Sequence, residues 1–403
     1  MARKRYDIGV DELIVRSAGE CPQRDVYGKL LQGPAVVDRG DDSPLLITRL
    51  EDVVFINQQK SVLGNGDAGT DMAAGQRLIP LDIDGEEHTK FRRLLDPLFA
   101  PKSKVSQLGG LEPEVRRLAN ALIDDFIDAG EVELYSQFCV PLPTIIFVRM
   151  LGLPDTDRQF FLQFKDDLVH AHTGSAEGDA ELRMNAALRM FGYLDEQINL
   201  READPNSYPG LLTGLVQTEV DGEMLTKQEQ LNIAFLLMVA GLDTVTGALS
   251  CMFARLAGHP DEQQQLRDDP ALIPSAVEEL LRYESPVQWG HRLATEDLTL
   301  PSGYQVRAGD HMQLLWAAAN LDESGCPAAA EVRFDRKANR HVAFASGTHR
   351  CLGSHLARME LRCAVEEFHN RTASYRIRDG ETPQYPGGTV RSVSYLPLEF
   401  TPR

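Results

Sequence analysis

Apolar positions along this chain recur mostly at helical spacing. The clearest pattern runs from residue 112 to residue 129 and stops at Gly130. Its apolar face is formed by Val115, Leu118, Leu122 and Phe126. Similar patterns predict helices over residues 141–151, 179–200, 227–259 and 274–283.

Strand patterns are short and few. Residues 298–300 and 304–306 flank Pro301, Ser302 and Gly303, which predicts a β-hairpin. Residues 386–400 predict a terminal pair of strands. Because no repeat, long charge block or flexible linker divides the sequence, we expect a mainly α fold with small β-sheets, in a single domain over residues 1–403.

Composition and charge exclude several classes of protein. The 403 residues are 43% hydrophobic and 25% charged, which is typical of a globular protein. A net charge of −19 argues against general nucleic-acid binding, which needs a basic face. The six cysteines lack disulfide-framework spacing, which suits reduced thiols in a cytoplasm. The start lacks the apolar region of a signal peptide, and the longest apolar run, residues 234–242, is too short to span a membrane, so we expect no membrane anchor.

One glycine-rich stretch resembles a nucleotide-binding motif. Gly64, Gly66 and Gly69 match the dinucleotide fingerprint, which works only between a strand and a helix. No helical apolar period follows in residues 70–75, so a flexible loop is the favoured interpretation.

The strongest chemical signal is the stretch from Phe344 to Gly353, which places Cys351 after a glycine-rich turn and before a helical pattern. The apolar face of that pattern is Leu352, Leu356, Met359 and Cys363. A thiolate at a helix N-terminus is stabilised by backbone N–H groups and the helix dipole, so this sulfur suits metal binding. Alone, the residue is also compatible with a buried apolar cysteine or, with His349 and His355, with a zinc ligand.

The order Phe344-x-x-Gly347-x-x-x-Cys351-x-Gly353 resembles the haem-binding loop of the cytochrome P450 family. The resemblance extends from about His88 to the C-terminus and implies the P450 fold, an α-rich triangular prism. It also implies haem b as cofactor, with iron ligated by the Cys351 thiolate, and with Phe344 and Gly353 in the cofactor-binding loop. Thiolate ligation favours O–O cleavage.

A second segment of the resemblance lies inside the pattern over residues 227–259. Gly241 and Thr244 both lower helix propensity there, although a chance helical sequence would look similar. In the family, Ala240 faces the haem and Gly241 leaves room for O₂. Asp243 and Thr244 form the catalytic acid–alcohol pair that relays protons to the oxygen, which is chemically reasonable because oxygen activation needs protons.

Two further sets of charged residues match family positions. Glu279 and Arg282 lie three residues apart, which is compatible with a surface ion pair worth about 0.2–0.5 kcal/mol. The resemblance instead implies a structural pair that supports the haem-binding core. It also assigns four side chains to the haem propionates, each of which alone could be a solvated cation: His88, Arg92, Arg292 and His349.

Substrate contacts are implied by resemblance alone. The family positions that face the substrate are Leu236, Val239, Ala240, Val287, Gln288 and Gly290. Most are apolar, which favours a compact terpenoid or aromatic substrate, with Gln288 orienting a carbonyl or hydroxyl group. Mobile loops near residues 63–83 and 163–185 would complete the pocket.

The sequence departs modestly from the family pattern. Ala345 replaces a usual glycine, and a positive φ there would cost about 1 kcal/mol. Leu321 replaces a common arginine, and Cys326 and Pro327 replace an aromatic-containing stretch.

The function implied is that of a soluble, bacterial-type haem-thiolate monooxygenase in the cytoplasm, which we expect to be a monomer. It would hydroxylate or epoxidise a small hydrophobic substrate with O₂ and two electrons. These would come from a ferredoxin and its NAD(P)H-driven reductase. Arg350, Lys90 and Arg93 could form a basic patch for the ferredoxin, although they are equally compatible with solvated surface charge. A peroxide-driven enzyme of the same fold and a non-catalytic haem-based sensor or ligand-binding protein are the alternatives.

Overall fold

The computed structural model describes residues 17–18, 22–40, 43–64, 73–106, 108–169 and 171–403, and it is 54% helical. Its α-helices are α1 (Pro22–Gln32), α2 (Leu50–Ile56), α3 (Gly85–Phe99), α4 (Glu112–Asp124), α5 (Pro141–Leu151), α6 (Arg158–Val169), α7 (Ala176–Ala203), α8 (Leu211–Val216), α9 (Lys227–Gly258), α10 (Pro260–Asp268), α11 (Ile273–Glu284), α12 (Trp316–Ala319) and α13 (Ser354–Arg371).

The strands are short. They are β1 (Ser17–Ala18), β2 (Val36–Val37), β3 (Leu45–Ile47), β4 (Val62–Leu63), β5 (Glu131–Glu133), β6 (Glu219–Val220), β7 (Glu223–Met224), β8 (Gly290–Ala294), β9 (Leu298–Thr299), β10 (Gln305–Val306), β11 (His311–Leu314), β12 (Thr372–Ile377), β13 (Gln384–Tyr385) and β14 (Pro397–Pro402). The expected class, mainly α with small β-sheets, is confirmed.

The predicted helices are present, and their ends differ from the prediction by a few residues. α5 has the predicted bounds, and α9 ends one residue early at Gly258. α4 ends at Asp124, and a 3₁₀ turn continues to Ala129 before Gly130, which has a φ of +69°. α7 extends three residues and α11 extends one residue beyond the predicted bounds at each end.

The buried face of α13 differs from the predicted one. The helix begins only at Ser354, so Leu352 lies outside it, and Met359 is half-buried. The core-facing side chains of α13 include Leu356, Glu360, Leu361, Ala364 and Phe368. A carboxylate at Glu360 therefore lies among apolar residues, where burial raises its pKa well above the ordinary value.

The strand predictions are half correct. The hairpin is confirmed, because β9 and β10 pair antiparallel around a turn that contains Gly303 at a φ of +85°. The terminal strand pair within residues 386–400 is wrong: β14 pairs with β12 and β5. Gly387 and Gly388 both have positive φ, so the chain turns where the prediction continued an extended run.

The chain divides into two compact units, and the single domain expected over residues 1–403 stays a prediction. The larger unit comprises Met1–Leu63, Glu112–Leu142 and Thr244–Arg403, and the smaller unit comprises Gly64–Leu111 and Pro143–Asp243. The larger unit contains the sheet of order β2-β3-β11-β8-β4 and the sheet β12-β14-β5. It also holds an aromatic core of Phe126, Phe138, Phe253, Phe368, Tyr375 and Phe400.

The smaller unit has its own core beside α6, α7 and the first half of α9. The rings of Phe191 and Phe235 stack with centroids 4.3 Å apart, and Phe164 meets Phe235 edge-on. Among the described residues, one helix, α9, has the length and apolar composition needed to cross a membrane, which the apolar run of residues 234–242 alone did not suggest. However, 72% of its most apolar 18-residue segment is buried inside the protein, and buried core helices have the same length and apolar composition.

Candidate functional site

The cysteine loop lies in the larger unit, between Phe344 and the start of α13. The backbone N–H of Cys351 donates a hydrogen bond of 2.9 Å to the carbonyl oxygen of Phe344, which closes the loop. Gly347 has a φ of +70°, and a Cβ there would lie 1.9 Å from the carbonyl oxygen of Asn57. Only glycine fits at this position. Cys351 itself is exposed.

Ala345 has a φ of +54°, so the position at which the family usually has glycine does require the left-handed region. Its N–H donates to the carbonyl oxygen of Val342 at 2.9 Å, which holds the turn in this conformation. The expected cost is about 1 kcal/mol.

Asn57 connects the cysteine loop to Arg292, a role that no motif in the sequence indicates. Its side-chain amide donates to the Ser346 hydroxyl at 3.1 Å and accepts from Nε of Arg292 at 3.1 Å. Arg292, on β8, is buried. His349 is half-buried within the loop itself. The structure therefore places two of the proposed propionate partners, Arg292 and His349, at or beside the cysteine loop.

The other two proposed propionate partners lie on α3 in the smaller unit. His88 is buried, and Arg92, one turn later, is half-buried. Arg92 also forms an ion pair of 2.7 Å with Asp96. Its guanidinium thus has a carboxylate partner that the sequence analysis did not consider.

Glu279 and Arg282 form a fully buried ion pair rather than a surface one. Two parallel hydrogen bonds of 2.8 Å join the guanidinium to the carboxylate. Arg282 also donates to the carbonyl oxygens of Asn320 and Ala329, and Glu279 accepts a further bond from Arg336. Burial raises the pKa of Glu279, but the hydrogen bonds from Arg282 and Arg336 outweigh it and lower the pKa overall. This geometry is that of a structural pair inside the core.

α9 carries an accessible stripe although most of the helix is buried. Leu236, Val239 and Thr244 are partly accessible and Ala240 is exposed, while Asp243 is only 1% exposed. Leu236, Ala240 and Thr244 recur every four residues and therefore share one helical face, and Val239 lies beside them, three residues after Leu236. The stripe presents apolar side chains and one hydroxyl, with a buried carboxylate adjacent in sequence.

The structure shows a packing role for Gly241 beside the one that the resemblance implies. The room for O₂ stays a prediction, and the ring of Phe147, from α5, fills the space that a side chain on Gly241 would take. A Cβ on Gly241 would lie 2.6 Å from three ring atoms of Phe147. Glycine is needed here because an aromatic ring packs directly on the helix backbone.

Lys165 is a site residue that the sequence analysis missed. Its Nζ lies 3.7 Å from Oδ1 of Asp243, and it also pairs with the exposed Asp166 at 3.0 Å. A signal was available, because Lys165 falls on the buried face of α6, which also includes Phe161, Phe164 and Leu168. A lysine on an apolar face indicates a buried anion nearby.

Of the proposed substrate contacts after α11, Gln288 needs correction. Gln288 is fully buried, its Oε1 accepts from the Tyr27 hydroxyl, and its Nε2 donates to the Gly388 carbonyl oxygen at 2.7 Å. The amide is thus engaged within the protein, contrary to the expectation that it orients a substrate. A Cβ on Gly290 would lie 2.6 Å from the ring of Trp316. Val287 remains partly accessible.

Of the two loops expected to complete the pocket, the one near residues 63–83 is only partly described, and the one near residues 163–185 is wrong over most of its length, because α6 and α7 occupy most of it. Residues 65–72 and 170 lie outside the described residues, and with them Gly66 and Gly69 of the dinucleotide-like motif. Gly64 is described, and its N–H donates to the Asp84 carboxylate at 2.9 Å.

The residues present fit a haem-thiolate site. The larger unit supplies an accessible thiol in a loop held by Gly347 and Ala345, together with Arg292 and His349 as partners for a buried carboxylate. Within the residues that the structure describes, no three His, Cys, Asp or Glu side chains gather into a metal-binding group. The zinc alternative, with His349, Cys351 and His355, therefore has no ligand set there.

Comparisons with known proteins agree with this chemistry. The family model described as "Cytochrome P450" matches residues 179–368. "Probable cytochrome P450 127A1" of Sinorhizobium fredii is 33% identical over 372 residues, which cover 92% of this chain and 84% of that protein. "Mycinamicin IV hydroxylase/epoxidase" of Micromonospora griseorubida is 34% identical, with 84% of each chain covered.

Among solved structures, CYP109E1 from Bacillus megaterium in complex with testosterone matches with a TM-score of 0.85. The identity is 26%, and the match covers 93% of this chain and 97% of that one. The similarity therefore extends over nearly the whole chain, in fold as well as in sequence.

Proposed function

Since the chain belongs to the cytochrome P450 family, whose members are haem-thiolate monooxygenases, we propose that it hydroxylates or epoxidises a hydrophobic substrate, with Cys351 as the iron ligand. The observation that carries the proposal is the stripe on α9, where a buried Asp243 precedes Thr244 on a face that is otherwise apolar. A buried acid beside an accessible hydroxyl suits proton delivery at a hydrophobic surface.

The chain's own residues have separate tasks. When bound, the haem supplies the activation of O₂ and the transfer of one oxygen atom to the substrate. Cys351 would hold the iron, and Arg292, His349, His88 and Arg92 would bind the propionates. Asp243 would pass protons to the Thr244 hydroxyl, which would hold them at the accessible face of α9. The apolar side chains of Leu236, Val239 and Ala240 would bind the substrate and exclude water.

The substrate class is proposed from the stripe and from the relatives. Leu236, Val239 and Ala240 offer no polar group, which favours a terpenoid, aromatic or similar compact hydrocarbon. The relatives named for mycinamicin and crystallised with testosterone extend the candidates to macrolides and steroids. Because Gln288 is engaged with Tyr27 and Gly388, we expect no orienting hydrogen bond from its side chain.

The electron donor we propose is a ferredoxin with its NAD(P)H-driven reductase. Arg93 is exposed and Lys90 is partly exposed on α3, and Arg350 is exposed in the cysteine loop, so each residue carries a positive charge that suits an acidic partner. We also propose that the protein works in the cytoplasm, like the soluble bacterial enzymes that it resembles.

Reconstituted turnover tests the proposal. Protein, ferredoxin, reductase, NADPH and O₂ are combined with terpenoid, aromatic, steroid and macrolide candidates that shift the Soret band. We expect an oxygenated product from at least one ligand, strong product loss in Thr244→Ala, and its recovery in Thr244→Ser, which keeps the hydroxyl. The absence of product with every binding ligand would favour the sensor alternative. Peroxide-driven turnover that Thr244→Ala leaves unchanged, without NADPH-driven product, would favour the peroxide alternative.

A further inference from the structure

Arg358, on the first turns of α13, is held against the aromatic residue that opens the cysteine loop. Its guanidinium carbon lies 4.4 Å from the centroid of the Phe344 ring, a cation–π geometry. Its Nε and Nη2 donate to the two carboxylate oxygens of Glu278 at 2.6 and 2.9 Å. These contacts fix both the position and the plane of the guanidinium.

Glu278 is in turn held by His341. The backbone N–H of Ala343 donates to Nδ1 of His341 at 3.2 Å, so the ring proton lies on Nε2. Nε2 lies 3.1 Å from the Glu278 carboxylate and donates to it. Burial raises the pKa of Glu278, but the bonds from His341 and Arg358 outweigh it and lower the pKa to about 2. The carboxylate is therefore ionised at neutral pH.

Phe344 connects Arg358 with Cys351, the proposed iron ligand. The carbonyl oxygen of Phe344 accepts the hydrogen bond from the Cys351 backbone N–H, so the ring that stacks on Arg358 belongs to the residue that closes the cysteine loop. Arg358 also approaches the carbonyl oxygen of Ser354 at 3.4 Å, three residues after the cysteine. All of these residues lie in the larger unit.

A fixed cation near the iron ligand has a definite electrostatic effect. In the haem-loaded protein, one electron from a donor of the ferredoxin class would convert Fe(III) to Fe(II) and make the iron–thiolate unit more negative by one charge. A nearby positive charge stabilises the more negative form, and a nearby negative charge destabilises it. Removing the cation should therefore lower the reduction potential, and removing the anion should raise it.

We propose that Arg358 is a positioning residue that fixes the Phe344 ring and raises the reduction potential of the iron bound at Cys351, with Glu278 and His341 holding Arg358 in place. The inference rests on the proposed assignment of Cys351 as the iron ligand. It adds to the proposed function a control of the first electron transfer.

Redox titration of the holoprotein at neutral pH tests the inference. Arg358→Gln should lower the midpoint potential by about 59 mV. For a one-electron couple, this shift corresponds to about a tenfold change in the reduction equilibrium. The matched control is Arg362→Gln, which removes the same charge one turn later on α13. Arg362 is exposed to a similar degree as Arg358, and it pairs with Glu112 and Glu366. The control should keep the wild-type potential.

Two further variants keep the test decisive if Arg358→Gln binds haem poorly. Glu278→Gln leaves the cation in place and should raise the potential, whereas Arg358→Lys keeps the charge and should lie closer to the wild type than Arg358→Gln. The inference is overturned if Arg358→Gln and Arg362→Gln have the same potential, or if Glu278→Gln lowers it. A wild-type protein without a thiolate-ligated haem spectrum would contradict the proposed function instead, so the two failures are distinguishable.

Discussion

Nζ of Lys165 lies 3.7 Å from Oδ1 of Asp243, and the two side chains are 4% and 2% exposed. The proposed catalytic acid is therefore held beside a buried cation on a neighbouring helix of the smaller unit. Removing one partner of a buried ion pair destabilises the fold, because the remaining charge stays in a region of low polarity.

Replacing Lys165 with methionine should lower the unfolding free energy by about 2–3 kcal/mol, at the lower end of the range for breaking a buried pair because 3.7 Å is a long separation. We also expect slower product formation, since Asp243 loses the contact that orients it. Urea unfolding and turnover measure the two effects. The control is Asp166→Asn, which removes the exposed partner of Lys165 and should change stability by less than about 0.5 kcal/mol. Equal stability of the two variants would contradict the assignment.

The contact between Gly241 and Phe147 predicts a coupled pair of mutations. Gly241→Ala should destabilise the protein by about 1 kcal/mol, because overpacking against the Phe147 ring exceeds the helix propensity gained. Adding Phe147→Leu should remove the clash. The double variant should therefore lose less unfolding free energy than the two single variants lose together, by at least about 0.5 kcal/mol. Chemical denaturation of all three variants measures the coupling.

Gly192→Ala is the control for this pair. Gly192 lies in α7, and a Cβ there would meet no atom within 4 Å, so alanine should stabilise the helix by up to about 1 kcal/mol. Additive effects of Gly241→Ala and Phe147→Leu would show that the ring does not determine the need for glycine.

The burial of Glu279 and Arg282 predicts a large cost for a single neutral substitution. Glu279→Gln should lower the unfolding free energy by about 3–5 kcal/mol, because Arg282 keeps its charge without its anion. The control is Glu114→Gln, because Glu114 and Arg117 form an exposed ion pair with the same three-residue spacing. This variant should lower the unfolding free energy by no more than about 0.5 kcal/mol. Denaturant midpoints and haem content distinguish the outcomes, and similar costs for both variants would favour the surface-pair interpretation.

His369 predicts part of the pH dependence of stability. Burial, assisted by the charges of Arg267 and Arg403, lowers its pKa from 6.5 to about 3, and its Nε2 lies 2.8 Å from the Tyr375 hydroxyl. The unfolded state therefore binds one more proton between these pH values. Stability should be lost as the pH falls through this window, by up to about 1.4 kcal/mol per pH unit.

His369→Gln keeps a polar partner for Tyr375 and removes this proton uptake. The variant should show a shallower fall in unfolding free energy between about pH 6 and pH 4, measured by urea titration at each pH. His259→Gln, at an exposed histidine of the larger unit, is the control. An unchanged slope in His369→Gln would contradict the assignment.

Local pattern predicted those parts of the fold that depend on local physics. The 3.6-residue period of α9 and the turn residues between β9 and β10 are properties of neighbouring residues, and both predictions are confirmed. A cost at Ala345 was expected only if its φ were positive, which depends on its own backbone, and the φ of +54° meets this condition. The terminal strand pair failed because Gly387 and Gly388 turn the chain where the side-chain pattern alone indicated extension.

Contacts between residues far apart in the sequence were not predictable in this way. Asn57 and Arg292 are joined across 235 positions, and no motif marks either residue for the other. A family resemblance gives the place of a residue but not the direction of its side chain, so Gln288 was assigned to the substrate although it bonds to Tyr27 and Gly388. Lys165 was missed as well, although Phe161, Phe164 and Leu168 recur around it at helical spacing in the sequence.

The spectrum of the reduced carbon monoxide complex tests the central claim most directly. We expect wild-type protein, expressed with ample haem, to show the red-shifted Soret band of thiolate ligation. Cys363→Ala should keep that band, because Cys363 is buried within α13, whereas Cys351→Ala should lose it. A wild-type protein without a Soret band, or a Cys351→Ala variant that retains the thiolate spectrum, would contradict the assignment of Cys351 as the iron ligand.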